Sequence, residues 1–201
     1  MIRWKKYVIL YKGMKKSDNF DGDDNYLIKQ AAEGNESAFQ KLIITYQQAV
    51  FSTIYRYIGD YDNVEDLAQE IFVKVWRNAG KFKGKSKFST WLYRIVVNHC
   101  LNYNSKHKVD PISLDELTKQ GHTPESLSVQ VDWEKKQKIE QVQKAIKELP
   151  DRQRIALVLA HYEQKSHKEI AQIMQISLSS VHSLIFRARC TLKKRLKKLL
   201  E

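Results

Sequence analysis

The stretch from Ser166 to Arg189, SHKEIAQIMQISLSSVHSLIFRAR, constrains the fold of this chain more than any other part of it. Ser166 and Glu169 have the spacing of a capping box: the serine oxygen accepts a backbone N–H at a helix start and the glutamate reaches back to the cap. Ile170, Ala171, Ile173 and Met174 supply the apolar side of that helix. Ser177 is placed to cap a second one running from Leu178 through Val181, Ile185 and Phe186. A small residue at Ala171, facing Val181 on the next helix, suits two helices that cross closely, the layout of a helix-turn-helix. Its turn puts Gln175 in a left-handed conformation, which costs a side-chain-bearing residue on the order of 1 kcal/mol relative to glycine. Beyond Leu184 come Arg187, Arg189, Lys193, Lys194, Arg195, Lys197 and Lys198, with no acidic residue until Glu201. A packed hairpin with no partner needs no such row. Phosphates do, each neutralised one releasing counterions, so DNA is the expected partner.

The remainder reads as helix too. In 201 residues there are only 7 Gly and 3 Pro, and long stretches keep a 3.6-residue apolar period with no convincing alternating strand, so the expected fold class is all-α. A net charge of +12 favours an acidic partner, nucleic acid or membrane surface. The apolar runs are too short to span a bilayer, and the N-terminal MIRWKKYVILYKG lacks a cleavage site, so a cytoplasmic location is expected. Cys100 and Cys190, two thiols far apart, indicate neither a disulfide framework nor a metal site and read as reduced, half-buried side chains. No cofactor is expected. His161 and His167 lack zinc-ligand spacing, and no nucleophile is paired with a base, so no catalytic residue is assigned and the chain is not expected to be an enzyme.

Four segments follow from the pattern. Residues 1–25 carry Lys15 and Lys16 and then Asp18, Asp21, Asp23 and Asp24 with little apolar period, and read as a loosely ordered extension in which Met14 offers a second start. Residues 26–107 form a helical domain. One helix is marked by Ala38, Phe39, Leu42, Ile43, Tyr46, Val50, Ile54 and Tyr57 and stopped by Gly59; a second opens on an Asp62–Glu65 capping box and closes at Gly80; a third spans about Ser89 to Asn104. Residues 108–136, with Pro111, Gly121 and Pro124 among acidic side chains, read as a flexible linker. Residues 137–201 are the helix-turn-helix domain, whose first helix ends at Pro150.

The first domain sorts its charges. Asp60, Asp62, Glu65, Asp66 and Glu70 are acidic without exception, and Lys81, Lys83, Lys85, Lys87, Arg94, Lys106 and Lys108 are all basic. Phe82, Phe88, Trp91 and Tyr93 interleave with the second set, a combination that suits unpaired nucleic acid, with rings for stacking and lysines along the backbone. The plainer alternative makes Phe88 and Trp91 core residues.

DNVEDLAQEIFVKVW (62–76), FKGKSKFSTWLYRIVVNHCLN (82–102) and LPDRQRIALVLAHYEQKSHKEIAQIM (149–174), in that order around an acidic linker, resemble the sigma-70 family of RNA polymerase sigma factors, in its small two-domain extracytoplasmic-function branch. The resemblance implies that Asp62, Asp66, Gln69, Glu70 and Phe72 dock on a coiled coil of the largest subunit of core polymerase. It implies that Lys83, Lys85, Lys87, Phe88, Trp91, Arg94 and Asn98 open the minus-10 promoter element and hold a flipped base, as a stacking surface with positive charge could. It implies that the last helix reads the minus-35 element with Ser179, Ser180, His182, Ser183 and Phe186, while Arg187, Arg189 and Lys193 meet phosphates. Promoter DNA, core polymerase and an anti-sigma factor, membrane-bound or not, are the implied partners, and no small-molecule substrate. His182 and Leu184 depart from the family, whose members often carry arginine there. The rival reading is a stand-alone helix-turn-helix regulator, which leaves the sorted charges of residues 60 to 108 without a role.

Overall fold

A computed structural model of the chain describes residues 24–107 and 133–200; residues 1–23 with Met14, and most of the acidic linker, lie outside the described residues, while Asp24 and Asn25, assigned to the extension on sequence, open the first helix. Among the described residues every regular element is a helix, as composition and periodicity predict. The helices are α1 (Asp24–Ala32), α2 (Glu36–Ile58), α3 (Val64–Arg77), a 3-10 turn (Ala79–Lys81), α4 (Phe88–His107), α5 (Trp133–Lys147), α6 (Asp151–His161), α7 (His167–Met174) and α8 (Leu178–Leu200). None of the described helices is long and apolar enough to cross a membrane.

Local chemistry sets most of the boundaries. Asn35 caps α2, its side-chain oxygen accepting from the Ala38 N–H at 3.0 Å, and Gly59 ends the helix at φ 73°, a left-handed residue that only glycine adopts without cost. The Asp62–Glu65 capping box predicted for α3 does not form. Asn63 occupies the cap position with helical dihedrals (φ −90°, ψ −8°) and no side-chain cap bond. A capping side chain needs an extended backbone there. Asp60 closes the turn instead, accepting from the Asp62 N–H at 3.0 Å and from the Asn63 amide at 2.5 Å. Helix α3 also stops at Arg77, before Gly80, and passes into the 3-10 turn. The start of α4 is capped from another helix, the Phe88 N–H donating to Asn25 Oδ1 at 2.8 Å. Helix α5 begins at Trp133, so residues 133–136, assigned to the linker on sequence, are helical.

Helices α1 to α4 bury Ile28, Leu42, Ile54, Tyr57, Ile71, Phe88 and Leu92 against one another. Fully burying an aliphatic side chain of that size stabilises by about 1.5–3 kcal/mol. The same apolar cluster continues into the second unit through Ile155, Leu159, Ile170, Ile173 and Val181, so the two helical units pack directly together. Polar contacts frame that junction. Tyr93 on α4 donates its hydroxyl to Glu163 Oε2 at 2.6 Å, Arg56 on α2 meets Glu163 Oε1 at 3.5 Å, and the Glu163 side chain is only 8% exposed. Arg94 donates to the Gln172 carbonyl at 3.1 Å, Asn104 donates to Asp151 at 2.5 Å, and Lys165 lies 4.8 Å from the centre of the Tyr93 ring. Arg154, 3% exposed, is neutralised by Asp151 at 2.7 Å, donates to the Lys147 carbonyl at 3.0 Å and stacks over the Tyr57 ring at 4.5 Å. Of the two cysteines expected to be half-buried, Cys100 is buried, which pushes its thiol up to about 12, and Cys190 is exposed.

Candidate docking and nucleic-acid interfaces

Helix α3 turns Leu67, Ala68, Ile71, Phe72 and Val75 inward and leaves Glu65, Asp66 and Glu70 exposed, with Asp62 exposed in the turn before it. Asp66 and Glu70, four residues apart, share one face one turn from each other. Gln69 is half-buried beside them, whereas Phe72 is buried and supports the face from beneath rather than lying on it. Behind the face stands a residue that sequence reading passed over. His99, on α4, has Lys74 Nζ 2.5 Å from its Nδ1 and Glu70 Oε2 3.1 Å from its Nε2. The Glu70 carboxylate lies beside Nε2 and favours the protonated ring. Burial, then the Lys74 charge, lower the pKa of His99 against the opposing pull of Glu70, so the ring is neutral at pH 7. An ammonium can only donate, so Nδ1 accepts from Lys74 and the ring proton sits on Nε2, facing Glu70.

The loop after the 3-10 turn carries Lys83, Lys85 and Lys87, all exposed, with Gly84 at φ 67°. Its ends are anchored by rings. Phe82, Phe88 and Trp91 meet with centroids 5.5 Å (Phe82–Trp91), 6.0 Å (Phe88–Trp91) and 6.3 Å (Phe82–Phe88) apart. Phe88, expected as a stacking surface, is 2% exposed and belongs to the core; burying its ring gains more than leaving it in water. Tyr93 is likewise buried, while Trp91 is half-buried. Aromatic interleaving here fixes the loop so that its ammonium groups point outward. Asn98 is exposed; Arg94 is half-buried and committed to Gln172.

In the helix-turn-helix the predicted capping box is present: Ser166 N and Oγ donate to Glu169 Oε2 at 2.8 and 2.7 Å, and the Glu169 N–H donates to Ser166 Oγ at 3.3 Å. These bonds hold the Glu169 carboxyl below its ordinary pKa. Gln175 takes the left-handed conformation expected of it, φ 54° and ψ 46°. Ser177 caps α8, its hydroxyl accepting from the Ser180 N–H at 3.2 Å. Val181 is fully buried with Ala171 packed beside it. Ser179, Ser180, His182 and Ser183 are exposed together on the first turns of α8, and Arg187, Arg189 and Lys193 further along it. Phe186 is 69% exposed, an apolar ring standing among cations. Arg195 is paired with Glu148, so the basic row is not wholly available to a ligand. His167, considered on sequence only as a metal ligand with His161, instead meets His182. A repeat of histidines on facing helices could have signalled this, but only once the crossing of α7 and α8 was known.

Comparison with known proteins matches the profile described as Sigma-70 region 2 to residues 42–109 and that described as Sigma-70, region 4 to residues 139–192. The RNA polymerase sigma-H factor of Pseudomonas aeruginosa is 34% identical over 184 residues, covering 88% of this chain and 95% of that protein. The ECF RNA polymerase sigma-E factor of Escherichia coli K12 is 34% identical over 178 residues, 83% of this chain and 90% of its own length. Two solved structures share the fold. CnrH in complex with the cytosolic domain of CnrY has a TM-score of 0.67 at 23% identity, covering 88% of this chain and 99% of that one. The sigma factor RpoE of Bartonella quintana, in complex with the anti-sigma factor NepR, has 0.61 at 22%, covering 79% and 96%.

Proposed function

The chain belongs to the sigma-70 family, in its extracytoplasmic-function branch, and from that membership we infer that it binds core RNA polymerase, recognises and melts promoter DNA and directs transcription initiation. Its role is recognition; the family supplies no chemistry of its own, and the nucleotidyl transfer belongs to the polymerase. A stand-alone regulator would account for residues 139–192 and leave residues 42–109 without a role. The observation that carries the assignment of surfaces is the outward display of opposite charge on neighbouring elements: carboxylates on α3, ammonium groups on the loop before α4. Asp62, Asp66, Gln69 and Glu70, over the buried ring of Phe72, form the surface for the coiled coil of the largest subunit. Lys83, Lys85, Lys87, Trp91, Arg94 and Asn98 hold the opened minus-10 strand, with Phe88 as scaffold. Ser179, Ser180, His182 and Ser183, with Phe186 beside them, face minus-35 bases, and Arg187, Arg189 and Lys193 face phosphates. The first unit runs from α1 to α4, residues 24–107, the second begins with α5 at Trp133, and residues 108–132 join them. The protein works in the cytoplasm, where polymerase and promoters are, under an anti-sigma factor of the kind bound to its structural neighbour from Bartonella quintana.

Reconstitution with core polymerase tests this. Asp66→Lys with Glu70→Lys should abolish co-elution with core while the far-ultraviolet dichroism stays helical, since both side chains are exposed. Lys83→Ser, Lys85→Ser and Lys87→Ser together should keep co-elution and lose permanganate reactivity of unpaired promoter thymines. Retained co-elution in the first variant removes the α3 assignment, and a full-strength permanganate footprint in the second removes that of the loop.

A further inference from the structure

His167 is the first residue of α7, and His182 stands on the exposed side of α8 across the turn. Their rings meet edge to face: Nδ1 of His167 lies 3.4 Å from Nε2 of His182, with centroids 4.5 Å apart and planes at 89°. Between two neutral imidazoles at this separation there is room for one proton, so one nitrogen donates and the other accepts. A neutral ring carries a single N–H. If Nε2 of His182 accepts, its proton must sit on Nδ1, which becomes a donor; if Nε2 donates, Nδ1 is left as an acceptor. The contact with His167 therefore couples the two rings: the tautomer of His167 sets the polarity of the one ring nitrogen that His182 has left to offer.

That polarity carries sequence information. In the major groove a donor reads guanine O6 and N7, adenine N7 or thymine O4 and is refused by cytosine, whereas an acceptor reads the amino group of cytosine or adenine and is refused by guanine and thymine. The neighbouring groups leave the decision to this pair. Glu169 of the same turn of α7 is held by Ser166, and the Ser177 hydroxyl engages those of Ser179 at 3.0 Å and Ser180 at 2.8 Å while capping the helix. We propose that His167 is a specificity-determining residue of upstream promoter reading, a positioning residue that acts through His182 by holding the orientation of its ring and coupling its tautomer to that of His167. This rests on the reading that the start of α8 faces the bases of the minus-35 element.

Holoenzyme reconstituted with the full chain, selected on promoters randomised in the upstream element, tests the proposal with four variants: His182→Ala, His167→Leu, His167→Asn and the His167→Leu/His182→Ala double. His167→Leu should change base preference by about fivefold or more at the same single position that His182→Ala affects, the scale of one misread base pair. The double variant should add nothing to His182→Ala. His167→Asn, whose amide occupies the place of Nδ1, should restore the wild-type preference, and the salt dependence of binding should stay unchanged throughout. If His182→Ala shifts the preference and His167→Leu does not, or His167→Leu weakens all sequences evenly, His167 has only a packing role and the proposal is overturned. If His182→Ala leaves the preference unaltered, His182 reads no base, and the proposal falls together with the assignment of that residue.

Discussion

His99 is a buried imidazole with a cation on one nitrogen and a carboxylate near the other, and its pKa is lowered by burial and by Lys74. The folded state thus binds its proton less readily than the unfolded chain, whose histidine titrates near 6.5. Stability contributed by this residue is complete above that pH and is lost as the pH falls below about 6.5 toward the folded-state value. Melting temperatures followed from pH 8 to pH 5 should therefore drop more steeply in the wild type than in His99→Gln; parallel curves would show that the ring titrates alike in both states. Legibility was uneven at this scale. The left-handed Gln175 could be read from the spacing of two capped helices, because the turn length leaves one residue to reverse the chain. Gln164 adopts φ 52° as well, with no comparable motif to announce it. For Phe88 the sequence leaves stacking surface and core both open, because aromatic spacing says that rings share a face but not whether that face meets solvent or the core, and the structure buries it.

Each helix end follows the same rule of satisfied backbone groups, yet only some are visible in sequence. The Ser166–Glu169 box formed because Ser166 is extended (φ −63°, ψ 153°), while the Asp62–Glu65 pair was pre-empted by Asp60 acting from outside the box. Residues from Tyr26 read as helix, but α1 is not marked off as an element of its own, because it is short and buries only Ile28 and Ala31. The capping of α4 by Asn25 joins residues far apart in the chain, so periodicity could not anticipate it. Two substitutions at the ends of α7 should move stability in opposite directions. Gln175→Gly removes a left-handed side chain and should stabilise by about 0.5–1 kcal/mol after the added freedom of the unfolded chain is subtracted. Ser166→Ala removes the cap and should destabilise by about 1 kcal/mol. Urea titrations read both, and a Gln175→Gly midpoint at or below that of the wild type would contradict the conformational argument.

Taken whole, the molecule holds its two units in contact, an arrangement that conflicts with simultaneous reading of both promoter elements. Centres some 25 base pairs apart lie about 85 Å from each other along a duplex rising about 3.4 Å per pair. The chain between α4 and α5, residues 108–132, reaches on the order of 85 Å when fully extended. Separation of the units is both required and within its reach. It must break the Tyr93–Glu163 and Arg94–Gln172 bonds and expose part of the shared apolar cluster. Dyes placed on the exposed Cys190 and on Lys106→Cys, with Cys100 protected by burial, should transfer energy efficiently in the free protein and lose that transfer in the holoenzyme. Equal transfer in the two states would mean that the packed arrangement is not the one that persists in solution. The all-α class and the helix-turn-helix could be read from the chain, but this junction could not. It is made by Glu163, Tyr93 and Arg56, each of which reads as an ordinary surface or core residue until the units are brought together.

Glu163 meets neither the polymerase surface nor the DNA surfaces assigned above, and this gives its substitution a distinctive genetics. If only the open form engages core enzyme, the apparent affinity is the intrinsic one multiplied by the open fraction. Loosening the junction with Glu163→Gln then raises the competitive strength of the protein for a shared and limited supply of core without adding a contact to it. Such alleles would be dominant, would misdirect transcription at the expense of rival promoters, and would be recovered as gains of activity.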